Sequence, residues 1–486
     1  MPDLALPMTR RSGDPLPRWD GLFMALLIAA LAVIIAALAT SNPVFLAAGL
    51  GIALAIAAVF RFDLFVYTLI FLLPWYPYLD TRLPLRDVSM VLRFVLFAAV
   101  LFIRKKNGQS LARWILGNWI RKGVLVFAGI AIASLLLSSL GPNLDALRLL
   151  ARLFSYLALF FAVLGWVETR QQVHRIITIL LTSTIGVALF GFYQVLAQGY
   201  TDFYFYLYPS QEQALEDWNG RITSVLFHFN SLAGYLNLVL PFSLACLVLA
   251  KERWQRNLAM ICHTLACAAL YFTASRGGLI AYAGMVLAVL WFLKPRVAAI
   301  SRLLVATALA AAIVFSLQSP FASEGRVQDV DDFTSTSRLA LWGTAGAMFL
   351  HHPVLGVGYG NYRSLYNDYL PGVAPNELDT HNLYLQLLAE TGIIGFAAFF
   401  FLIGSFVRIA VKLARNADPW CRLLGIGLGG ALAATLIHGL VDFLFNVSPQ
   451  FGGLFWLILA LGLIAYEQCA LPRVSSISPV ERDCNN

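Results

Sequence analysis

The chain has 486 residues, of which 59% are hydrophobic and only 12% charged, and its net charge is +8. A soluble globular domain carries about a quarter charged residues, so the composition excludes one. The excess positive charge is spread over short connecting segments rather than gathered in one patch, which excludes nucleic acid as its meaning.

Long apolar runs of about 16 to 22 residues, each with at most one charge, are enough to cross about 30 Å of hydrocarbon as helix. In chain order the predicted spans are 21–39, 43–60, 64–79, 88–103, 123–140, 149–167, 176–197, 231–250, 258–274, 278–293, 303–318, 383–407, 423–441 and 449–466. The alternating pattern of an outer-membrane barrel does not occur, and helices satisfy their own backbone in lipid. The expectation is an all-α polytopic integral membrane protein of about 12–14 transmembrane helices. It is read as one transmembrane domain over 1–486 with two outer elaborations, a segment at 198–230 and a large helical loop at 319–382. The second is far longer than an ordinary connection, and loops of that length often carry function. Arg10, Arg11 and Arg18 precede the first span as a signal-peptide n-region would, with Ala37-Leu38-Ala39 as a cleavage site. The span is expected to be retained, because the charge alternation closes only with it kept.

With the N-terminus inside, alternate connections hold most of the 34 Lys and Arg residues, notably those at 104–122, 251–256, 294–302 and 408–422. Both termini are then cytoplasmic. The remaining basic residues, at or near the outer face, are all arginine: Arg82, Arg86, Arg93, Arg148, Arg152, Arg221, Arg276, Arg326, Arg338 and Arg363. Guanidinium makes paired hydrogen bonds to phosphate oxygens and ammonium does not, which points to phosphate recognition. Ordinary loop charge and lipid headgroup contact are the alternatives. The six cysteines, Cys246, Cys262, Cys267, Cys421, Cys469 and Cys484, fall in spans or inside. No disulfide and no zinc spacing is expected.

Chemistry concentrates in a few outer motifs. Asp379-Thr380-His381-Asn382 leads into the span at 383, with Asp379 or Thr380 as its cap. His381 then sits at a helix N-terminus, which disfavours imidazolium, so a neutral ring can take a proton from an attacking hydroxyl. Asn382, Gln386 and Glu390 share one helix face, and Glu390, inside the bilayer, calls for an arginine partner or a purely structural lock. Asn219-Gly220-Arg221 runs into His228-Phe229-Asn230, where Arg221 can approach an anion and Asn230 can cap the next span. Thr273-Ala274-Ser275-Arg276-Gly277-Gly278 is a tight turn that opens a helix, either an anion site or a place where arginine snorkels. Ser335-Thr336-Ser337-Arg338 begins an amphipathic helix through Trp342 to His352-Pro353, and Gly356-Val357-Gly358-Tyr359-Gly360-Asn361 reads as a flexible turn. Arg148 and Arg152 share a helix face; a lipid-linked diphosphate, or Asp145 and phospholipid, can occupy them. Asp329-Val330-Asp331-Asp332 reads as a solvated acidic loop rather than a magnesium site. His438 and Asp442 are spaced for a supporting hydrogen bond.

Taken in order, Arg221 through Asn230, Ser275-Arg276-Gly277, Ser337-Arg338 with Trp342, His352-Pro353 through Gly358, and His381-Asn382-Leu383-Tyr384 with Glu390-Thr391-Gly392 and Gly395 resemble the core of the O-antigen ligase and polymerase superfamily. The resemblance implies a GT-C-like glycosyltransferase of the bacterial inner membrane, active on the periplasmic face. Its members move a glycan from undecaprenyl diphosphate to an acceptor. In ligases this is a sugar of lipid A–core in lipopolysaccharide biosynthesis. Polymerases use another lipid-linked glycan, and some relatives use a protein. Metal independence is implied, with no cofactor. The family's essential histidine matches His381, and its arginines match Arg221 and either Arg276 or Arg338. The resulting expectation is an inverting transferase with His381, Arg221 and Arg338 as catalytic residues. Arg148, Arg152, Arg276, Asn382 and Glu390 are expected to contact substrate. A lipid or solute transporter is the reading from another class, although the paired repeats of transporters are missing.

Overall fold

The computed structural model of the chain describes residues 61–77, 88–196, 221–292, 328–369 and 379–470. The expected spans at 21–39, 43–60 and 303–318, together with Arg82, Arg86 and Arg326, lie outside them, as do most of the 198–230 segment and part of the 319–382 loop. The described residues fold as helices and turns with no strand. The helices are α1 (Phe62–Leu72), α2 (Val88–Lys106), α3 (Leu111–Leu116), α4 (Trp119–Leu136), α5 (Leu144–Trp166), α6 (Arg170–Leu196), α7 (Phe229–Leu249) and α8 (Arg253–Phe272). Then come α9 (Arg276–Phe292), α10 (Gln328–His351), α11 (Tyr362–Tyr369), α12 (Leu383–Ala414), α13 (Pro419–His438), α14 (Leu444–Val447) and α15 (Pro449–Ala470). Every predicted span that falls among the described residues is helical, and seven of these helices are long and apolar enough to cross a bilayer. The chain is an all-α polytopic membrane protein.

Helix α13 is the hub, packing against α7, α9, α12 and α15. Its sequence, Leu423-Leu424-Gly425-Ile426-Gly427-Leu428-Gly429-Gly430, explains why. Lipid gives helices no hydrophobic reason to associate, so close approach through small residues must supply it. A methyl at Gly430 would meet Pro241 Cβ of α7 at 2.5 Å, and one at Gly425 would meet the α12 backbone at Leu413.

The two ends of the bundle differ. One gathers charged residues in ordinary ion pairs: Arg121 with Glu467 at 2.8 Å, and Arg170 with Asp418 at 2.5 Å, where Arg170 also covers the Trp420 ring. Cys421 and Cys469 form a disulfide at this end, with Cα atoms 6.5 Å apart, against the expectation of none. They are 48 residues apart in sequence, and only the packing of α13 on α15 brings them together.

At the other end, α12 is interrupted. Gly392 has φ 59 and ψ −165, which frees the surrounding backbone groups inside the bundle. The segment 353–358 docks there and pairs them. Val357 N–H donates to Ala389 O at 2.8 Å and Gly358 N–H to Glu390 O at 3.1 Å, while Pro353 O accepts from Ile393 N–H at 2.9 Å. Ser134 of α4 adds hydroxyl bonds to Glu390 O and Leu355 O. Residues 356–361 are buried, so the glycine-rich stretch is a docked plug and not the expected flexible turn. Irregular backbone at this depth is tolerable only when protein covers it. Gly356, Gly358 and Gly360 all have positive φ, and at Gly356 a methyl would lie 2.5 Å from Ala389 O.

Two further expectations change. Helix α10 begins at Gln328, so the acidic run 329–332 is helical, not loop. Glu390 is fully buried, and among the described residues no arginine pairs with it. Its Oε1 accepts from Gln386 Nε2 at 2.9 Å and from Tyr362 N–H at 3.4 Å. Neutral amide and backbone donors of the docked segment replace the expected cation, which places Glu390 in the scaffold.

Candidate functional site

At the end of the bundle opposite the ion pairs, three short irregular segments meet the turn after α13. They precede α7, α9 and α12. Four non-glycine residues among those described have left-handed backbone, Ser224, Phe227, Ala274 and His381, and all four lie in these segments. Such conformations cost about 1–3 kcal/mol each and persist where the surroundings over-determine them.

The segment before α12 shows how. Thr380 N–H donates to Gln386 Oε1 at 3.0 Å, Thr380 Oγ1 accepts from Asn382 N–H at 3.1 Å, and Trp342 Nε1 of α10 donates to Thr380 O at 2.9 Å. The cap of α12 is Asn382 rather than Asp379 or Thr380: its side-chain oxygen accepts from Tyr384 N–H and Leu385 N–H, both at 3.0 Å. Asn382 Nδ2 reaches Leu440 O at 2.9 Å, and Leu383 N–H reaches Gly439 O at 2.7 Å. Asp379 is buried and pairs with Arg363 through both carboxylate oxygens. With both flanks bonded, His381 is forced to φ 49 and its ring turns to the turn after α13.

There, His381 Nδ1 lies 3.2 Å from Asp442 Oδ1. Asp442 is buried, and the same oxygen accepts from Phe443 N–H at 2.8 Å. Burial alone would raise the Asp442 carboxyl. The His381 hydrogen bond and the nearby His381, His438 and His228 rings outweigh it and hold Asp442 well below the usual carboxylate range. An ionised Asp442 accepts a hydrogen bond from His381 Nδ1–H, which selects the ring tautomer whose Nε2 is an acceptor. The His381 side chain keeps 27% exposure. The expected His438–Asp442 side-chain bond is not made, and both His438 Nδ1 and Asp442 Oδ2 are buried without a hydrogen-bond partner.

Three of the expected arginines lie on the elements that carry this end of the bundle. Arg221 covers the Phe229 ring at 4.6 Å, and that ring stacks on His228 at 4.5 Å. Its segment is pinned by Ile222 N–H to Phe272 O of α8 and Ser224 N–H to Gln194 of α6. The cap of α7 is His228, whose Nδ1 accepts from Asn230 N–H at 3.2 Å, and not Asn230. Burial, foremost, pushes the His228 imidazole below its ordinary value; Asp442 works against this, and His381, Arg221 and His438 add to it. Asn230 Oδ1 instead accepts from Ser275 Oγ at 2.7 Å, tying the α7 and α9 segments together. Arg276 is the exposed first residue of α9. The following Gly277 packs on the turn itself: a methyl there would sit 2.5 Å from Val441 Cγ2 and 3.3 Å from His438 Cδ2. Arg338 is half-buried on α10, one turn before Trp342.

The other expected residues fall elsewhere. Arg148 is exposed and pairs with Asp145 at 2.9 Å. Arg152 donates to Asn446 O of α14 at 3.2 Å, beside the Asp379 cluster. Arg93 is buried and bonded to Ser155 and Ser89. In the sequence Asp442 was read only as a supporting partner of His438, and His228 carried no assigned role. A carboxylate four residues after the histidine that ends a span was the one signal for Asp442.

This arrangement defines a polytopic membrane protein with an acid–base pair and several arginines collected at one end. Residues 261–400 match the family model described as O-Antigen ligase. Members of that family are glycosyltransferase-like ligases and polymerases that use lipid-linked glycans in a membrane. The matched stretch contains Arg276, Arg338, His381 and Glu390, while Arg221, His228, His438 and Asp442 lie outside it. No curated protein matches the chain.

Proposed function

We propose that the chain is an inverting O-antigen ligase-like glycosyltransferase. It moves a glycan from undecaprenyl diphosphate to a sugar hydroxyl of lipid A–core, at the periplasmic face of the bacterial inner membrane. The observation that carries this reading is the 3.2 Å contact between His381 Nδ1 and buried Asp442, and Arg221, Arg276 and Arg338 are read as the cations that serve it. The periplasmic assignment rests on the opposite end, where Arg104, Lys105, Lys106, Arg121, Arg170 and Arg422 cluster as the positive-inside rule asks of a cytoplasmic face.

The acceptor hydroxyl approaches His381 Nε2 and attacks the anomeric carbon from the side opposite the diphosphate. The new glycosidic C–O bond forms as the bond to the diphosphate oxygen breaks, and the hydroxyl proton passes to Nε2. Asp442 holds the ring's tautomer and stabilises the imidazolium that results. Negative charge grows on the departing diphosphate, and the arginines, preorganised by the pinned segments, stabilise it where it develops. The proton leaves His381 to solvent or to the released diphosphate. Asn382 and Arg152 hold the site's backbone in place. The docked 353–360 plug and Glu390 keep α12 from closing its break.

The test is incubation of purified protein with undecaprenyl-diphosphate-linked glycan and lipid A–core, resolved on gels. Glycan attached to the core is the expected result. Lengthened lipid-linked glycan with no attachment assigns the chain to the polymerases, and no product with either acceptor removes the reading.

A further inference from the structure

Asp442 has two carboxylate oxygens, and only Oδ1 is committed, to His381 and to the Phe443 N–H. Oδ2 is buried with no hydrogen-bond partner. One turn earlier, His438 is buried too, and its Nδ1 also lacks a partner. The two residues are held one turn apart by the Asp442 N–H bond to His438 O at 3.0 Å. From the far side the His438 ring is fixed by α9: a methyl at Gly277 would stand 3.3 Å from Cδ2 and 3.4 Å from Nε2. The Cδ2–Nε2 edge is therefore against α9, and Nδ1 lies on the other edge. Buried polar atoms left unsatisfied are costly and ask for an explanation. Two of them, in one turn of chain and of complementary character, share one: an N–H donor and a carboxylate acceptor.

We propose that His438 is the second imidazole of a His381–Asp442–His438 relay, in which His438 Nδ1–H bonds Asp442 Oδ2 in the substrate-loaded site, directly or through one water. This rests on the reading of His381 as the base. His438 is a positioning residue: it keeps the carboxylate aimed and ionised while His381 alone gains and loses the acceptor proton, so no further proton need move. Other charged groups within electrostatic reach are His228 and Arg221, from the segment before α7, and His381; Arg276 opens α9 beside Gly277.

The sign of the effect follows from what His438 does to Asp442. A hydrogen bond to the charged carboxylate spreads its charge. Without it, the undiluted Asp442 charge favours the imidazolium that transfer generates, which sets the direction in which the rate profile moves. The experiment is the pH–rate profile of glycan transfer for wild type, His438→Leu and His438→Asn, each checked for folding by melting in detergent. Asn presents an amide N–H near the position of Nδ1 and so retains the donor. The relay predicts that His438→Leu lowers kcat about 10- to 100-fold with the KM for the lipid-linked donor unchanged. Its acidic limb moves to higher pH, and His438→Asn stays close to wild type in both. If His438→Leu keeps the wild-type limb, or His438→Asn is as slow as His438→Leu, the relay is wrong while the transferase reading stands. If the wild-type protein transfers nothing, that reading fails and the relay with it. Should His438→Leu not fold, His438→Ala takes its place, with the same slowing and limb shift expected and the wild-type limb overturning the relay.

Discussion

Helix α12 is entered and interrupted by two irregular segments that use the same devices to opposite ends. At the break, Gly356, Gly358, Gly360 and Gly392 take positive φ, and the backbone of 353–358 pairs with the groups freed around Gly392. At the entrance, positive φ falls on His381, flanked by bonds from Thr380, Asn382 and Leu383. Glycine adopts that conformation without steric cost; histidine does not, so a strained histidine is worth having only for its ring. The polar groups at the break are paired, including Glu390 with Gln386. The entrance leaves His381 partly exposed and Asp442 Oδ2 without a partner. One segment is scaffold and the other is where chemistry can occur.

The largest effects should come from breaking the entrance. His381→Ala and Asp442→Asn are each expected to cut transfer by about 10²- to 10⁴-fold with little change in melting, measured as initial rates on lipid-linked glycan. The Asp442 change should act through the wrong His381 tautomer, so it should lower kcat more than it raises KM. Next comes Arg221→Ala, expected to lose about 10²- to 10³-fold as one donor to the leaving diphosphate is removed. Lysine at that position should recover only part of the loss, since it cannot bond two oxygens in one plane.

Breaking the other segment should read out differently. Gly356→Ala brings a methyl onto the α12 backbone and a residue with a β-carbon into left-handed φ. It should cost about 2–4 kcal/mol of stability, seen as lost yield or a lower melting point, with activity per folded molecule largely kept. The contrast weakens if Gly356→Ala folds normally and loses activity alone. A smaller effect is set by pH. His228 is held below its ordinary value of 6.5, so between that value and the lower folded one the unfolded chain binds a proton that the folded site refuses. Stability should therefore fall as pH drops below about 6.5, and His228→Asn should flatten the decline. Smallest of all, Arg148→Ala should leave transfer unchanged, because its exposed pair with Asp145 contributes little.

The contrast between the two segments also marks where sequence reasoning stops. Hydropathy located the described spans, because length and apolarity are local properties. His381 was legible for the same reason: a polar Asp-Thr-His-Asn run directly before an apolar one has few other uses. Its partner Asp442 was not, since the turn that presents it is 61 residues away and depends on α13 packing beside α12. The break at Gly392 lies inside a span that hydropathy reads as one continuous helix, and the polar Glu390-Thr391 before it reads as an intramembrane polar pair as readily as a break. The glycines of 356–360 suggest mobility when read alone, and only docking onto that break makes them rigid. The Cys421–Cys469 disulfide depends in the same way on two helix ends meeting.

The most direct test of the His381–Asp442 pair as the working centre is transfer by purified wild-type protein and by His381→Gln, assayed side by side with lipid-linked glycan and acceptor. The account predicts product from the wild type and a loss of at least about a hundredfold from the variant at unchanged folding. Equal rates from the two proteins would contradict it.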